Sequence, residues 1–389
     1  MTTESVLSGA TNKPNLSRLD FNEAPFLVIW EITQACDLAC MHCRACAQPL
    51  QHPLELTTDE GFRLLGEIRR FGQPLLVLTG GYPLLRPDVF DFIAHGTTLG
   101  LRMTMTPSGT RLLTKDNIRG AKKAGLKRMA ISLDASTAAM HDAFRQVPGS
   151  YDWTMEGIEA AREVGLPLQI NTTMTRYNLS DLEPLAAKMV ESGISLWSVF
   201  FLVPTGRGKQ EDQLQPDEYE AVFHFLYDLS KQVPFDIKTT AAPHYRRVVT
   251  QRAKTERRSS QTERGTEREA KGKKRSQLGF SIGGGIGRAT KGVNDGNGFV
   301  FISHTGEIFP SGFLPISAGN VRKQSLLEIY RHSPLFSDLR NPEKLKGKCG
   351  RCEYRRICGG SRARAYAIHG DYLASDPFCA YQPRAAFPD

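Results

Sequence analysis

Cys36, Cys40 and Cys43, in the run Cys36-Asp37-Leu38-Ala39-Cys40-Met41-His42-Cys43, set three thiols at C-x3-C-x2-C spacing. Thiolates so arranged hold an iron–sulfur cube by three corners and leave the fourth iron open. A fully ligated cube passes electrons, whereas an open iron can also bind and reduce a molecule, so the run predicts an enzyme. The alternative is zinc completed by His42 or Cys46, since tetrahedral sites accept Cys and His together. Zinc sites favour two separated ligand pairs, which this cradle is not.

A second set follows far downstream. Cys349, Cys352 and Cys358 have C-x2-C-x5-C spacing, and Cys379 is a distant fourth thiol. Four thiolates saturate one cube and suit an electron relay, with a structural zinc as the alternative. All eight cysteines fall within two stretches, four in 36–46 and four in 349–379, with Cys46 left over as a free loop thiol. Clustered thiols without an export signal indicate metal binding in a reducing cytoplasm rather than disulfides. Residues 1–20 are polar and lack the apolar core of a signal peptide, so 1–21 is expected to be a flexible arm. The most apolar stretch, 197–203, is too short to span a bilayer, and no membrane partner is expected.

The elements that must position the thiols alternate in type. Strands are predicted at 26–33, 75–78, 101–106, 128–133, 168–174 and 196–203, from apolar and β-branched runs. Helices between them end at Gly100, Gly125, Gly165 and Gly193. Thr58 is expected to cap the first helix, and Ser180-Asp181-Leu182-Glu183 to form a capping box for a later one. Strands alternating with helices imply a parallel sheet with right-handed crossovers, here an α/β partial (β/α)6 TIM-type barrel over 22–240. Sites in such barrels lie at the C-terminal strand ends, where Cys36 follows the first strand.

On its cysteine spacing the chain resembles the radical S-adenosylmethionine (SAM) superfamily. The resemblance implies a [4Fe-4S] cluster on Cys36, Cys40 and Cys43 whose open iron chelates SAM. Reductive cleavage of SAM then yields a 5′-deoxyadenosyl radical that abstracts hydrogen from the substrate, so the protein must position reactants and exclude solvent. Thr79-Gly80-Gly81-Tyr82-Pro83 matches the family's GGE motif, with Tyr82 in place of the acid that meets the SAM ammonium. The same resemblance puts Ser132 and Asp134 near the ribose and Arg145 at the SAM carboxylate, with Ser108 and Asn171 as further contacts. The alternatives are a plain tight turn at Gly80 and Gly81, Asp134 as a helix cap, Arg145 as a surface charge, and Ser108 and Asn171 as structural groups.

The C-terminal cysteines resemble the SPASM and twitch extensions of peptide-modifying and heme-biosynthetic radical enzymes. Ser311 stands where the family's upstream cysteine falls, so one auxiliary [4Fe-4S] cluster is expected, on Cys349, Cys352, Cys358 and Cys379, within a small iron–sulfur domain at 298–389. Residues 299–303 and 307–309 read as a hairpin, with a helix near 326–330. Between the domains, 241–297 reads as a basic, Gly-rich flexible insertion; 251–277 has almost no apolar residues. It carries much of the +9 net charge, which is therefore a poor argument for nucleic acid.

The expected function is hydrogen abstraction from a peptide or from a tetrapyrrole or cofactor precursor, with a flavodoxin- or ferredoxin-like reductant in the cytoplasm. Two other classes fit parts of the sequence: a two-cluster electron-transfer protein without SAM chemistry, suggested by Tyr82, and an RNA-modifying radical enzyme recruited by the basic insertion.

Overall fold

A computed structural model describes residues 19–266 and 292–384, with side chains through 258 in the first segment. Ten strands form one sheet: β1 Leu27–Thr33, β2 Leu75–Gly80, β3 Arg102–Met105, β4 Arg128–Ser132, β5 Leu168–Met174, β6 Leu196–Phe201, β7 Asp236–Thr240, β8 Phe299–Ile302, β9 Glu307–Phe309 and β10 Gly319–Asn320. Their order is β10-β9-β8-β1-β2-β3-β4-β5-β6-β7. From β8 to β7 every pairing is parallel, and β9 and β10 are antiparallel additions.

The six expected strands are β1 to β6. The sheet is wider than expected at both edges. β7 adds beside β6, and β8 pairs along β1 from Leu27↔Phe299 to Trp30↔Ile302. The C-terminal extension therefore begins inside the barrel's own sheet, and the hairpin expected at 299–309 is β8 and β9.

Burial alternates along the strands, since successive side chains point to opposite faces. In β5, Leu168, Ile170, Thr172 and Met174 are buried, while Gln169, Asn171 and Thr173 face the barrel interior. The outward face packs against helices around Trp30, Phe92, Met103, Ile131, Trp197 and Phe223. Each such side chain contributes about 1.5–3 kcal/mol by leaving water.

Helix ends depart from expectation in detail. Thr57, not Thr58, caps the helix Thr58–Arg69, and Glu60 completes its capping box. No box forms at 180–183: a 3-10 turn, Leu179–Asp181, leads into Leu182–Glu191, and the Asp181 carboxylate instead accepts from the Ser136 N–H at 2.6 Å. Gly125 and Gly165 are left-handed C-caps, the conformation that suits glycine.

The insertion also differs. A helix, His244–Thr266, runs through the first part of the segment read as flexible. It lacks a wide apolar stripe, but Val248 is fully buried and ion pairs tie it to the helix Pro216–Leu229 and the turn that follows that helix. These are Arg247 with Glu220, Lys231 with Glu256, and Arg252 with Asp228 at 2.6 Å. Residues 267–291, and 1–18 of the expected N-terminal arm, lie outside the described residues. Among the described residues no helix is long and apolar enough to cross a membrane.

Candidate iron–sulfur active site

The loop after β1 is closed on itself before it presents its thiols. The Cys36 N–H donates to the Gln48 carbonyl at 2.7 Å, and Gln48 N–H to Gln34 at 3.1 Å. The Met41 N–H reaches the Phe144 carbonyl at 3.1 Å, and the His42 ring stacks on Phe144 at 4.4 Å. Cys36 and Cys40 are buried and Cys43 half-buried, all as free thiols. All three line a cavity of about 400 Å³ inside the barrel.

Burial, then the neighbouring Cys40 and Cys43, pushes the Cys36 thiol up to about 11. These are thiols that iron would deprotonate on binding. Arg145 offsets some of the negative charge that results, with Nη1 3.6 Å from Cys40 Sγ. Arg207 holds the Cys43 carbonyl through its N–H at 2.9 Å and keeps Nε and Nη2 buried without a hydrogen-bond partner, which suits an anionic group at this loop. Among the described residues no three or more Cys, His, Asp or Glu converge tightly enough for a single metal ion. Cys46, at φ 47°, does not line the cavity.

Of the other expected site residues, Gly80, Gly81, Ser108, Ser132, Arg145 and Asn171 line the same cavity as the thiols. Tyr82 and Asp134 do not. Tyr82 is fully buried among Cys36, Leu38 and Ala47, and burial pushes its phenol well above the usual range. It braces the cysteine loop from behind, so an acid is not simply exchanged for a phenol at the same spot.

Gly80 and Gly81 approach backbone: a Cβ on Gly80 would stand 2.4 Å from the Thr33 carbonyl oxygen, and one on Gly81 2.3 Å from that of Ala35. The expected close approach is therefore to the chain entering the cysteine loop. The Gly81 carbonyl in turn accepts from the Ser108 hydroxyl at 3.3 Å.

Asp134 was expected beside Ser132 near the ribose, but β4 ends at Ser132 and its side-chain alternation ends with it. The Asp134 carboxylate is inaccessible, accepts from the Thr173 N–H at 2.7 Å, and pairs with the buried Arg145. That neighbouring guanidinium holds its carboxyl below the usual range against the opposing effect of burial. Asp134 thus orients Arg145 rather than facing the cavity.

Other residues escaped the sequence reading. Buried Glu31 on β1 binds Arg44 at 2.8 Å and His304 Nδ1 at 2.7 Å, joining the cysteine loop to the turn between β8 and β9. A carboxylate inside the otherwise apolar run of β1 was its signal. Gly206 has φ 61°, and a Cβ there would lie 2.4 Å from the carbonyl oxygens of both Cys43 and Arg44. Gly206→Ala should push the loop off its seat, at a cost of about 1–3 kcal/mol. Iron bound after anaerobic reconstitution should fall while far-UV circular dichroism is retained; full iron loading would show that the loop absorbs the methyl group.

Cys349, Cys352, Cys358 and Cys379 line a second cavity of about 20 Å³. Backbone N–H groups of Asp376, Tyr354 and Gly360 point at the sulfurs of Cys349, Cys352 and Cys358, each at 3.4 Å. Such donors stabilise thiolate and cluster sulfur. His244, from a segment read as flexible, completes this wall. Ser311 is buried and its hydroxyl accepts from the Phe313 N–H at 3.3 Å, away from these thiols.

Residues 30–189 match the family model of the radical SAM superfamily, and residues 294–353 that of the SPASM iron–sulfur cluster-binding domain. The chain belongs to the radical SAM superfamily and is an enzyme that uses a [4Fe-4S] cluster and SAM, with a further iron–sulfur cluster-binding domain. It is 42% identical to the AdoMet-dependent heme synthase of Methanosarcina barkeri over 92% of this chain and 97% of that one. To the AdoMet-dependent heme synthase of Nitratidesulfovibrio vulgaris it is 41% identical, over 93% and 94%. In fold it is similar to Streptococcus suis SuiB bound to S-adenosylmethionine, with TM-score 0.67 at 17% identity over 92% of this chain and 78% of that one. The reading as an electron-transfer protein without an enzyme activity is thereby set aside.

Proposed function

We propose that this enzyme forms a heme-type product from a tetrapyrrole precursor that carries propionate side chains. The observation that carries this reading is the similarity to AdoMet-dependent heme synthases at about two-fifths identity along nearly the whole of both chains. When bound, the first cluster supplies the electron that cleaves SAM to a hydrogen-abstracting radical, and the second offers an electron acceptor.

The roles of the chain's own residues follow from position. Cys36, Cys40 and Cys43 would hold the first cluster and Cys349, Cys352, Cys358 and Cys379 the second. Gly80, Gly81, Ser108, Ser132, Arg145 and Asn171 would line the SAM pocket, with Asp134 keeping the Arg145 fork in place. Phe200, Phe301 and Phe313 give the cavity an aromatic wall near the cysteines, suited to a flat macrocycle and to keeping water from the reacting carbon. A substrate side chain that loses a hydrogen atom and then an electron is oxidised, and a propionate so treated can release CO2 and leave a vinyl group on the macrocycle.

Peptides are a weaker reading. PqqA peptide cyclase of Rhodopseudomonas palustris is 27% identical, well below the heme synthases. In an anaerobic reaction with SAM, a reductant and a propionate-bearing iron tetrapyrrole, mass spectrometry should show loss of carboxyl groups from the macrocycle together with 5′-deoxyadenosine. An unchanged macrocycle beside abundant 5′-deoxyadenosine would contradict the reading.

A further inference from the structure

The cavity that begins at the cysteines continues down the barrel to the N-terminal ends of the strands, and its described lining contains no carboxylate. It contains six cations: Arg44, Arg102, Lys127, Arg128, Arg145 and Lys238. Arg44 and Arg145 are accounted for by Glu31 and Asp134. Lys127 is exposed. Arg102, Arg128 and Lys238 remain.

Arg102 opens β3, Arg128 opens β4, and Lys238 sits mid-way along β7. None of the three side chains has an ion pair or hydrogen bond among the described residues. They also oppose one another. Burial and the Arg128 charge push the Lys238 ammonium down to about 8, and burial and Arg102 lower Arg128, with only the exposed Asp236 in opposition. All three are half-buried on the cavity wall, and like charges held part-way out of water without partners repel one another. A protein gains nothing in stability from such a group. It gains a site for an anion, since two planar forks and an ammonium line one cavity that holds no carboxylate.

Within the reading of the substrate as a tetrapyrrole, on which this inference rests, we propose that Arg102, Arg128 and Lys238 bind propionate carboxylates of the substrate. Clamping one edge of the macrocycle low in the barrel fixes which side chain is presented at the cysteine end. These are binding and specificity residues, Arg102 and Arg128 standing at the strand ends opposite the cysteine loop.

The test uses anaerobic, cluster-loaded protein titrated with iron coproporphyrin III, which bears four propionates, and with its tetramethyl ester. The parent should bind the acid at least about ten-fold more tightly than the ester, and lose that preference as salt rises. Arg128→Gln should weaken acid binding on the order of ten-fold, and Arg128→Gln with Lys238→Gln on the order of a hundred-fold, with ester binding little changed. Arg128→Lys should recover part of the loss; iron content and thermal midpoint report whether each variant is folded. Equal affinity of the parent for acid and ester, or unchanged acid binding by the folded double variant, would overturn the carboxylate site while leaving the tetrapyrrole reading standing. Binding of neither porphyrin by a parent that still cleaves SAM would remove the tetrapyrrole reading, and this inference with it.

Discussion

Cys36→Ala is expected to empty the first cluster site and leave the second filled, so that reconstituted protein binds roughly four irons per chain where the parent binds roughly eight. Cys36 and Cys40 are buried in a loop whose backbone is tied to Gln48 and Phe144, so neither thiol can be replaced by a neighbour. Cys46 is no substitute, because it does not line the cavity. The reciprocal variant, Cys352→Ala, should lose the other half of the iron and keep the spectral response of the reduced first cluster to SAM. Iron analysis and low-temperature electron paramagnetic resonance check both. Loss of all iron from Cys36→Ala would show that the two sites are not independent.

Asp376→Ala should be the most destabilising substitution of a single carboxylate. Asp376 is wholly buried, 3.2 Å from Arg364 Nη1 and 3.2 Å from His244 Nε2, and accepts from the Ser361 N–H at 2.8 Å. Arg364 also donates to the carbonyls of Phe201 at 3.3 Å and Leu202 at 3.2 Å, tying the C-terminal extension to the end of β6. With the carboxylate gone, a guanidinium that cannot lose its proton stays buried without its counter-charge, and the His244 imidazole loses its carboxylate partner.

 Breaking a buried pair in this way costs about 3–5 kcal/mol. In a chain of 389 residues that lowers the thermal midpoint by about 4–6 °C, and Asp376→Asn, which keeps an acceptor, should lose less. Anaerobic calorimetry of the loaded protein measures both. A midpoint within about 1 °C of the parent would mean that the pair is not holding the extension to the barrel.

Much of the site could be read from sequence because the chemistry is local. Thiol spacing needs no tertiary information, and β1 to β6 stand out as apolar or β-branched runs between helices with glycine ends. β7 escaped because Asp236-Ile237-Lys238-Thr239-Thr240 has one apolar residue, its Lys238 being turned into the barrel. The pairing of β8 with β1 joins residues about 270 positions apart, which no local pattern encodes.

Side-chain direction was the other limit. Gly80, Gly81 and Tyr82 were legible as a motif, but not that the glycines close on residues 33–35 or that the tyrosine turns behind the loop. Asp134 and Arg145 were singled out separately and prove to be one ion pair. The helix His244–Thr266 went unseen because ion pairs with the preceding helix, rather than an apolar stripe, hold much of it in place.

The most direct test of the account is reductive cleavage of SAM itself. Anaerobically reconstituted protein, reduced with dithionite and given SAM, should form 5′-deoxyadenosine, and the Cys36→Ala, Cys40→Ala, Cys43→Ala triple variant should form none above the reagent background. Equal yields from both proteins, or no product from a parent with both clusters intact, would contradict it.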